Sequence, residues 1–129
     1  MHQSRQQRFP RSRNSARAAR DFAVSTLTDW SVTDRLEDIR LCVSELATNA
    51  LLHGVPPGRE FCVRLVSGSG LVRIEVRDSG DGRVEAQPPD TDPCSGRGLH
   101  LTQSLADEFG VTAHVVGKTV WVSFKVSTA

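Results

Sequence analysis

At 129 residues the chain has room for one domain. Hydrophobic residues make up 38% and charged residues 24%, the balance of a soluble globular protein, which excludes a disordered chain. The formal net charge of +1 argues against a general nucleic-acid binder, and no apolar run approaches the roughly 18–20 residues needed to cross a bilayer.

The N-terminus carries the arginines Arg5, Arg8, Arg11, Arg13, Arg17 and Arg20 without an apolar stretch, so it is not a secretory signal, and a cytoplasmic protein is expected. Such a run reads first as a solvated arm or helix face, with nucleic-acid contact as a minor alternative. The three cysteines, Cys42, Cys62 and Cys94, are scattered and odd in number, so they read as reduced thiols. Neither they nor the four histidines form the close ligand pairs of a zinc site.

Residues 1–10 read as a flexible arm, or as a short edge strand around Arg8–Phe9, ahead of one domain at 11–129. Asn14 or Ser15 can cap a helix running through Ala19, Phe22, Ala23 and Leu27 towards Trp30. Thr33 can cap a second helix, whose apolar positions Leu36, Ile39, Val43, Leu46, Ala47 and Ala50 form one buried face. That helix should stop at His53, before Gly54 and the Pro56-Pro57 pair. Phe61–Leu65 and Val72–Val76 alternate with polar residues around Gly68-Ser69-Gly70, the pattern of a β-hairpin. Residues 79–96 read as a loop. Leu99 to Phe109 suit a third helix ending at Gly110, and Val111–Val116 with Val120–Val126 suit a second hairpin around Gly117-Lys118. The expected fold is a two-layer α/β (α+β) sandwich, with a mixed, mainly antiparallel sheet covered by helices on one face.

Three segments carry candidate chemistry. In ELATNALLHG (45–54), Glu45, Asn49 and His53 are spaced by four and share one side of the second helix. Leu41 and Leu52 flank this stripe, which suggests partial enclosure. A carboxylate and a carboxamide on adjacent turns can address a magnesium-bound phosphate: the Asn oxygen is a neutral metal ligand, and the Glu can take a proton from an attacking hydroxyl. The alternative is a helix with a few ordinary polar residues. In DSGDG (78–82), Asp78 follows a strand and can accept from the N6 amino group of adenine, with Gly80 and Gly82 letting backbone approach the base. A carboxylate there disfavours guanine, whose O6 is another acceptor, although the segment could be only a turn. In GRGLHL (96–101), the backbone N–H groups of Gly96, Arg97, Gly98 and Leu99 open a helix and suit an anion, with Arg97 adding charge. Gly117-Lys118-Thr119 looks like the end of a phosphate-binding P-loop but is followed by a strand pattern, so Lys118 reads as a hairpin residue. Thr119 either points its hydroxyl towards a base or fills a strand position.

In this order and spacing the three segments resemble the N, G1 and G2 boxes of the GHKL (Bergerat-fold, histidine-kinase-like) ATPases. Within them the chain is similar to the short anti-sigma-factor serine kinases. The likeness runs from about Phe9 to Val126 and includes FPRSRNSARAARDF at the first helix. It implies ATP and Mg2+ as cofactors, with Glu45 as general base, Asn49 as magnesium ligand and Asp78 as adenine anchor. Gly80 and Gly82 would border the base, Gly96 and Gly98 would wrap the phosphates, Thr119 would sit near the adenine, and residues 83–95 would form a short lid. His53 and His100 fall inside the nucleotide boxes. The implied partners are a sigma factor, an antagonist protein of the STAS type whose serine is phosphorylated, and a second copy of the chain in a homodimer. The competing reading is an ATP-dependent partner-binding module without phosphotransfer.

Overall fold

Phe61, Val63 and Leu65 on one strand, Val72, Ile74 and Val76 on the next, and Val120, Val122 and Phe124 on a third all point to the same side of one sheet and are buried there. Period-two alternation makes this side apolar, and two helices cover it. The computed structural model describes residues 2–55, 58–78 and 97–127, with the backbone alone at 53–54 and 97–100.

The strands are β1 (Gln3–Pro10), β2 (Glu60–Gly68), β3 (Leu71–Arg77), β4 (Glu108–Ala113) and β5 (Lys118–Lys125), in the spatial order β1-β2-β3-β5-β4. Every neighbouring pair among them is antiparallel. The helices are α1 (Ser15–Asp29), α2 (Leu36–Asn49), continued by a π-helical turn over Ala50–Gly54, and α3 (Arg97–Leu105). Ala19, Ala23 and Leu27 on α1 and Ile39, Val43, Leu46 and Ala47 on α2 form the helical half of the core. Two-residue closure of the β2–β3 hairpin puts both Ser69 (φ 56°) and Gly70 (φ 77°) in the left-handed region, the geometry that matches strand twist.

Several boundaries differ from the sequence expectation. Of the two readings of the N-terminal segment, the edge strand is the one seen, and it is longer than expected: it pairs with β2 from Gln3 to Pro10. Phe9 is its only buried residue, stacked on Phe61 at 5.5 Å between ring centres and edge-on to Phe22 at 6.0 Å. Arg5 ties the strand to α1 through Asp29 at 2.8 Å. An edge strand held by backbone bonds and one aromatic anchor has no alternation to read.

Asn14 occupies the cap position of α1 but makes no side-chain cap bond, whereas Ser15 donates its hydroxyl to the Pro10 carbonyl at 2.6 Å. α1 closes with Ser31 in the left-handed conformation, its N–H donating to Thr28 O and that of Val32 to Leu27 O. This is a Schellman closure with serine in the usual glycine place.

Arg35, not Thr33, stands at the cap of α2. Its guanidinium reaches Asp38, Asp107 and the carbonyls of Leu105 and Lys125, and lies 5.0 Å from the Phe124 ring centre. α3 ends at Leu105 rather than Gly110, because Asp107 turns the chain. Its N–H donates to Ser123 O at 3.0 Å, and its carboxylate accepts from the Lys125 N–H at 2.6 Å. Phe109 and Gly110 therefore belong to β4. Gly110 cannot carry a side chain there, since a Cβ would overlap the indole of Trp121 on β5.

Candidate functional site

α2 packs against both β3 and α3. Asn49 closes the regular part of α2 and is 8% exposed; Glu45, one turn earlier, is half-buried. Among the described residues, neither side chain has a hydrogen-bonding or ionic partner. Their polar atoms keep some contact with solvent, so this pair is open to a polar ligand. Leu41 and Leu52 do not enclose the stripe as expected: they are 40% and 69% exposed. One turn before Glu45, Cys42 is buried against α3, where it meets Thr102. Loss of water around the thiol pushes its pKa up to about 12.

His53 lies in the π-helical turn, which continues α2 to Gly54 before Val55 becomes extended. α3 begins at Arg97, so Gly98 and Leu99 lie in its first turn, where unpaired backbone N–H groups of a helix point forward. The expected contributions of Gly80, Gly82 and Gly96, the lid at 83–95 and Cys94 lie outside the described residues.

Asp78 follows β3, and strand alternation after Val76 turns its side chain to the helix-covered side, where the residue is 5% exposed. The start of β5 holds it. The Asp78 N–H donates to Lys118 O at 2.9 Å, and Asp78 Oδ1 accepts from the Lys118 N–H at 3.0 Å. Asp78 Oδ2 accepts from Lys118 Nζ at 2.8 Å. Gly117 permits this approach: its φ is +75°, and a Cβ would overlap Asp78 itself.

The same parity puts Thr119 in a strand position on the open side, where it lines one cavity with Asp78. Val120 is buried beneath the helices, so Thr119 points to the opposite side, level with Arg77 and Thr112 in the strand register. There its Oγ1 lies 2.7 Å from His114 Nε2. Lys118, which reads from the sequence as a hairpin residue, is the β5 side chain that meets Asp78. The signal was present in the alternation of VWVSFKV, which makes even-numbered positions inward.

The open side of the sheet is also missing from the sequence reading. A cavity of about 720 Å³ lies on it, lined by residues including Arg8, Arg59, Arg64, Arg73 and Arg77, and it reaches Asp78 at one end. Glu75 pairs with Arg73 at 2.8 Å and Arg64 at 3.7 Å. Arg73 stacks over Trp121 at 4.2 Å. These arginines are dispersed along the chain, and only the strand register gathers them.

Comparison with known proteins agrees with this arrangement. The histidine kinase-like ATPase domain family matches residues 9–124. The chain is 32% identical to the anti-sigma F factor of Geobacillus stearothermophilus over 87% of this chain and 84% of that protein. It is 37% identical to the anti-sigma F factor of Geobacillus thermodenitrificans over 69% of this chain and 68% of that one. A solved structure of the RsbU and RsbW domains of a Mycobacterium tuberculosis protein superposes with a TM-score of 0.74 at 21% identity, covering 98% of this chain and 33% of that chain. With a five-stranded antiparallel sheet under paired helices and a buried aspartate at the third strand's end, the chain belongs to the histidine kinase-like ATPase family, in the branch of the anti-sigma F factors.

Proposed function

We propose that the protein is an ATP- and magnesium-dependent serine kinase of a partner-switching system. It would phosphorylate an antagonist protein of the STAS type and, in its other engagement, hold a sigma factor inactive in the cytoplasm, acting as a homodimer. The observation that carries the reading is the pair Glu45 and Asn49, one turn apart on α2 and without a partner among the described residues, on a helix that packs against α3 and against β3, the strand that Asp78 follows. Relatives named anti-sigma F factors, at 32% and 37% identity, support the choice of partners.

Asp78 would accept a hydrogen bond from the base. The backbone N–H groups of Arg97, Gly98 and Leu99 would face the phosphates, where a helix N-terminus favours negative charge. Gly80, Gly82 and Gly96 keep their proposed places around base and phosphates. His53 would border the phosphate end from the π-helical turn. A magnesium ion held by the Asn49 oxygen would neutralise phosphate charge. Glu45 would orient the serine hydroxyl and take its proton as the oxygen attacks, so that the protein's part is mainly positioning.

The test is incubation of the purified protein with labelled ATP and a panel of STAS-type proteins. Transfer of label to a serine of one of them supports the kinase. Binding of an antagonist that depends on ATP but proceeds without transfer replaces the kinase with an ATP-dependent binding module.

A further inference from the structure

The open-side cavity lies on the face of the sheet away from the helices that carry Glu45 and Asn49. We propose that it is a binding site for a small phosphate monoester, held by Arg8 and Arg77 from either side of Cys62. The site is additional to the nucleotide pocket proposed above and does not rest on it.

Strand register builds the site. Arg8 on β1 pairs with Cys62 on β2, and Cys62 pairs with Arg77 on β3. Arg77 pairs in turn with Thr119 on β5, and Thr119 with Thr112 on β4. One row of side chains therefore crosses all five strands, and every member of it lines the cavity. Cys62 is the short residue between two long ones. The Cα atoms of Arg8 and Arg77 stand about 10 Å apart, twice the spacing of neighbouring strands, so both guanidiniums can lean over the thiol.

Charge in the cavity is one-sided. Five arginines face three carboxylates there, an excess of two positive charges. Glu75 is bonded by Arg73 and Arg64, and Asp78 by Lys118. Glu60 stands at the start of β2, level with Pro10 rather than with Arg8. Among the described residues, Arg8 and Arg77 have no acidic partner. The fields of Arg8, Arg64 and Arg77 all act on Cys62 and favour negative charge there, but desolvation outweighs them and keeps the thiol pKa raised. A protonated thiol places no charge of its own beneath an anion.

The chemistry favours phosphate over carboxylate. A tetrahedral phosphate presents oxygens to two forked guanidiniums arriving from opposite sides, whereas a flat carboxylate presents only two. Its two negative charges match the excess. Beyond Arg77 the row continues in hydroxyls, with His114 Nε2 lying 2.7 Å from Thr119 Oγ1, and such groups suit the hydroxyl-bearing part of an ester. The volume of about 720 Å³ is that of a small-molecule site.

The experiment titrates glycerol 3-phosphate onto the full chain at constant ionic strength and follows backbone amide shifts by NMR. Wild type, Arg8→Gln, Arg77→Gln and Arg40→Gln are compared, with folding checked by thermal melting. Saturable shifts are expected at Arg8, Cys62 and Arg77. Arg8→Gln and Arg77→Gln should each weaken binding by about tenfold or more, the scale of a lost hydrogen bond to a charged group. Arg40→Gln, which alters an exposed arginine beside Glu37 on α2, should bind as wild type does. Succinate should bind at least about tenfold more weakly than the phosphate ester, since it lacks the tetrahedral group. No saturable shift, equal losses in all three variants, or succinate binding as tightly would each overturn the proposal. Saturating magnesium–ATP should leave the shifts in place; if it abolishes them, these arginines belong to the nucleotide site and no separate site exists. A chain that binds glycerol 3-phosphate in this way but never binds ATP would keep this site and remove the proposed pocket, so the two readings fail separately.

Discussion

The two sides of the central sheet come from the same five strands and have opposite chemistry. The covered side is built from Val, Ile, Leu and Phe, with Asp78 and Lys118 meeting at its edge; the open side carries Arg8, Arg64, Arg73, Arg77, Glu75 and Trp121. A shift of one residue in any strand would exchange the two. Strand parity thus decides more than burial: it determines which side of the sheet each residue of a short motif serves. Gly117-Lys118-Thr119 shows this most clearly, because adjacent residues serve opposite sides.

Thiol chemistry should show the largest difference between the sides. Cys42 is buried below α2, with its pKa raised from an ordinary 9.0 to about 12, chiefly by desolvation. Cys62 is half-buried on the open side, with its pKa also raised by desolvation and opposed by Arg8, Arg64 and Arg77. Cys42 also lies behind the helix layer while Cys62 is half-buried, so alkylation at pH 8 followed by peptide mass spectrometry should mark Cys62 ahead of Cys42 in the folded protein. The sign for stability follows. A raised folded pKa contributes fully below the unfolded value near 9.0 and is lost as pH rises towards about 12, so Cys42 favours the folded state least in strong alkali. Equal labelling of both cysteines would mean that the helix layer opens far more readily than its packing implies.

The covered side should also hold the chemistry. Glu45→Ala should leave ATP binding in place and slow transfer to the antagonist by about 10²- to 10⁴-fold, the usual cost of losing a general base. Single-turnover transfer and nucleotide titration on one preparation check both halves. Transfer at the wild-type rate would remove Glu45 from the proposed mechanism. For stability, the contrast lies within β2: Phe61→Ala should cost about 3–5 kcal/mol, because its ring is buried between β1 and the helices. Arg64→Ala, on the open side of the same strand, should stay within about 0.5 kcal/mol in a denaturant melt, because its contact with Glu75 is long and its own side chain is half-exposed.

Much of this contrast was legible in the sequence, for physical reasons that can be located. Phe61–Leu65, Val72–Val76 and, Trp121 apart, Val120–Val126 alternate because one side is packed under the helices, and the β2–β3 hairpin follows from that. The α2 stripe was visible because Glu45 and Asn49 are one helical turn apart. What stayed hidden depends on groups distant in sequence. β1 has one buried residue and no period. Arg35 acts through carbonyls at Leu105 and Lys125. α3 stops early because Asp107 finds the β5 backbone, although Leu105 and Phe109 have helical spacing. The Asp78–Lys118 pair spans forty positions and becomes apparent only from the register of β3 on β5.

The smallest expected effect is the sharpest test of parity. Thr119→Val removes the hydroxyl that family resemblance would place near adenine, while keeping a branched side chain suited to a strand. In this fold the hydroxyl lies beside His114 on the open side and not beside the Asp78 carboxylate, so ATP affinity should change by less than about twofold, within the small range of surface substitutions. Stability should shift by no more than about 1 kcal/mol, since the lost partner is one half-exposed imidazole nitrogen that water can satisfy. The comparison is informative only beside Lys118→Met in the same titration, because the two residues are neighbours and differ in the side they face. A large loss in Thr119→Val with none in Lys118→Met would place the hydroxyl at the base. A base seated in the open-side cavity that Thr119 and Asp78 both line would account for such a loss.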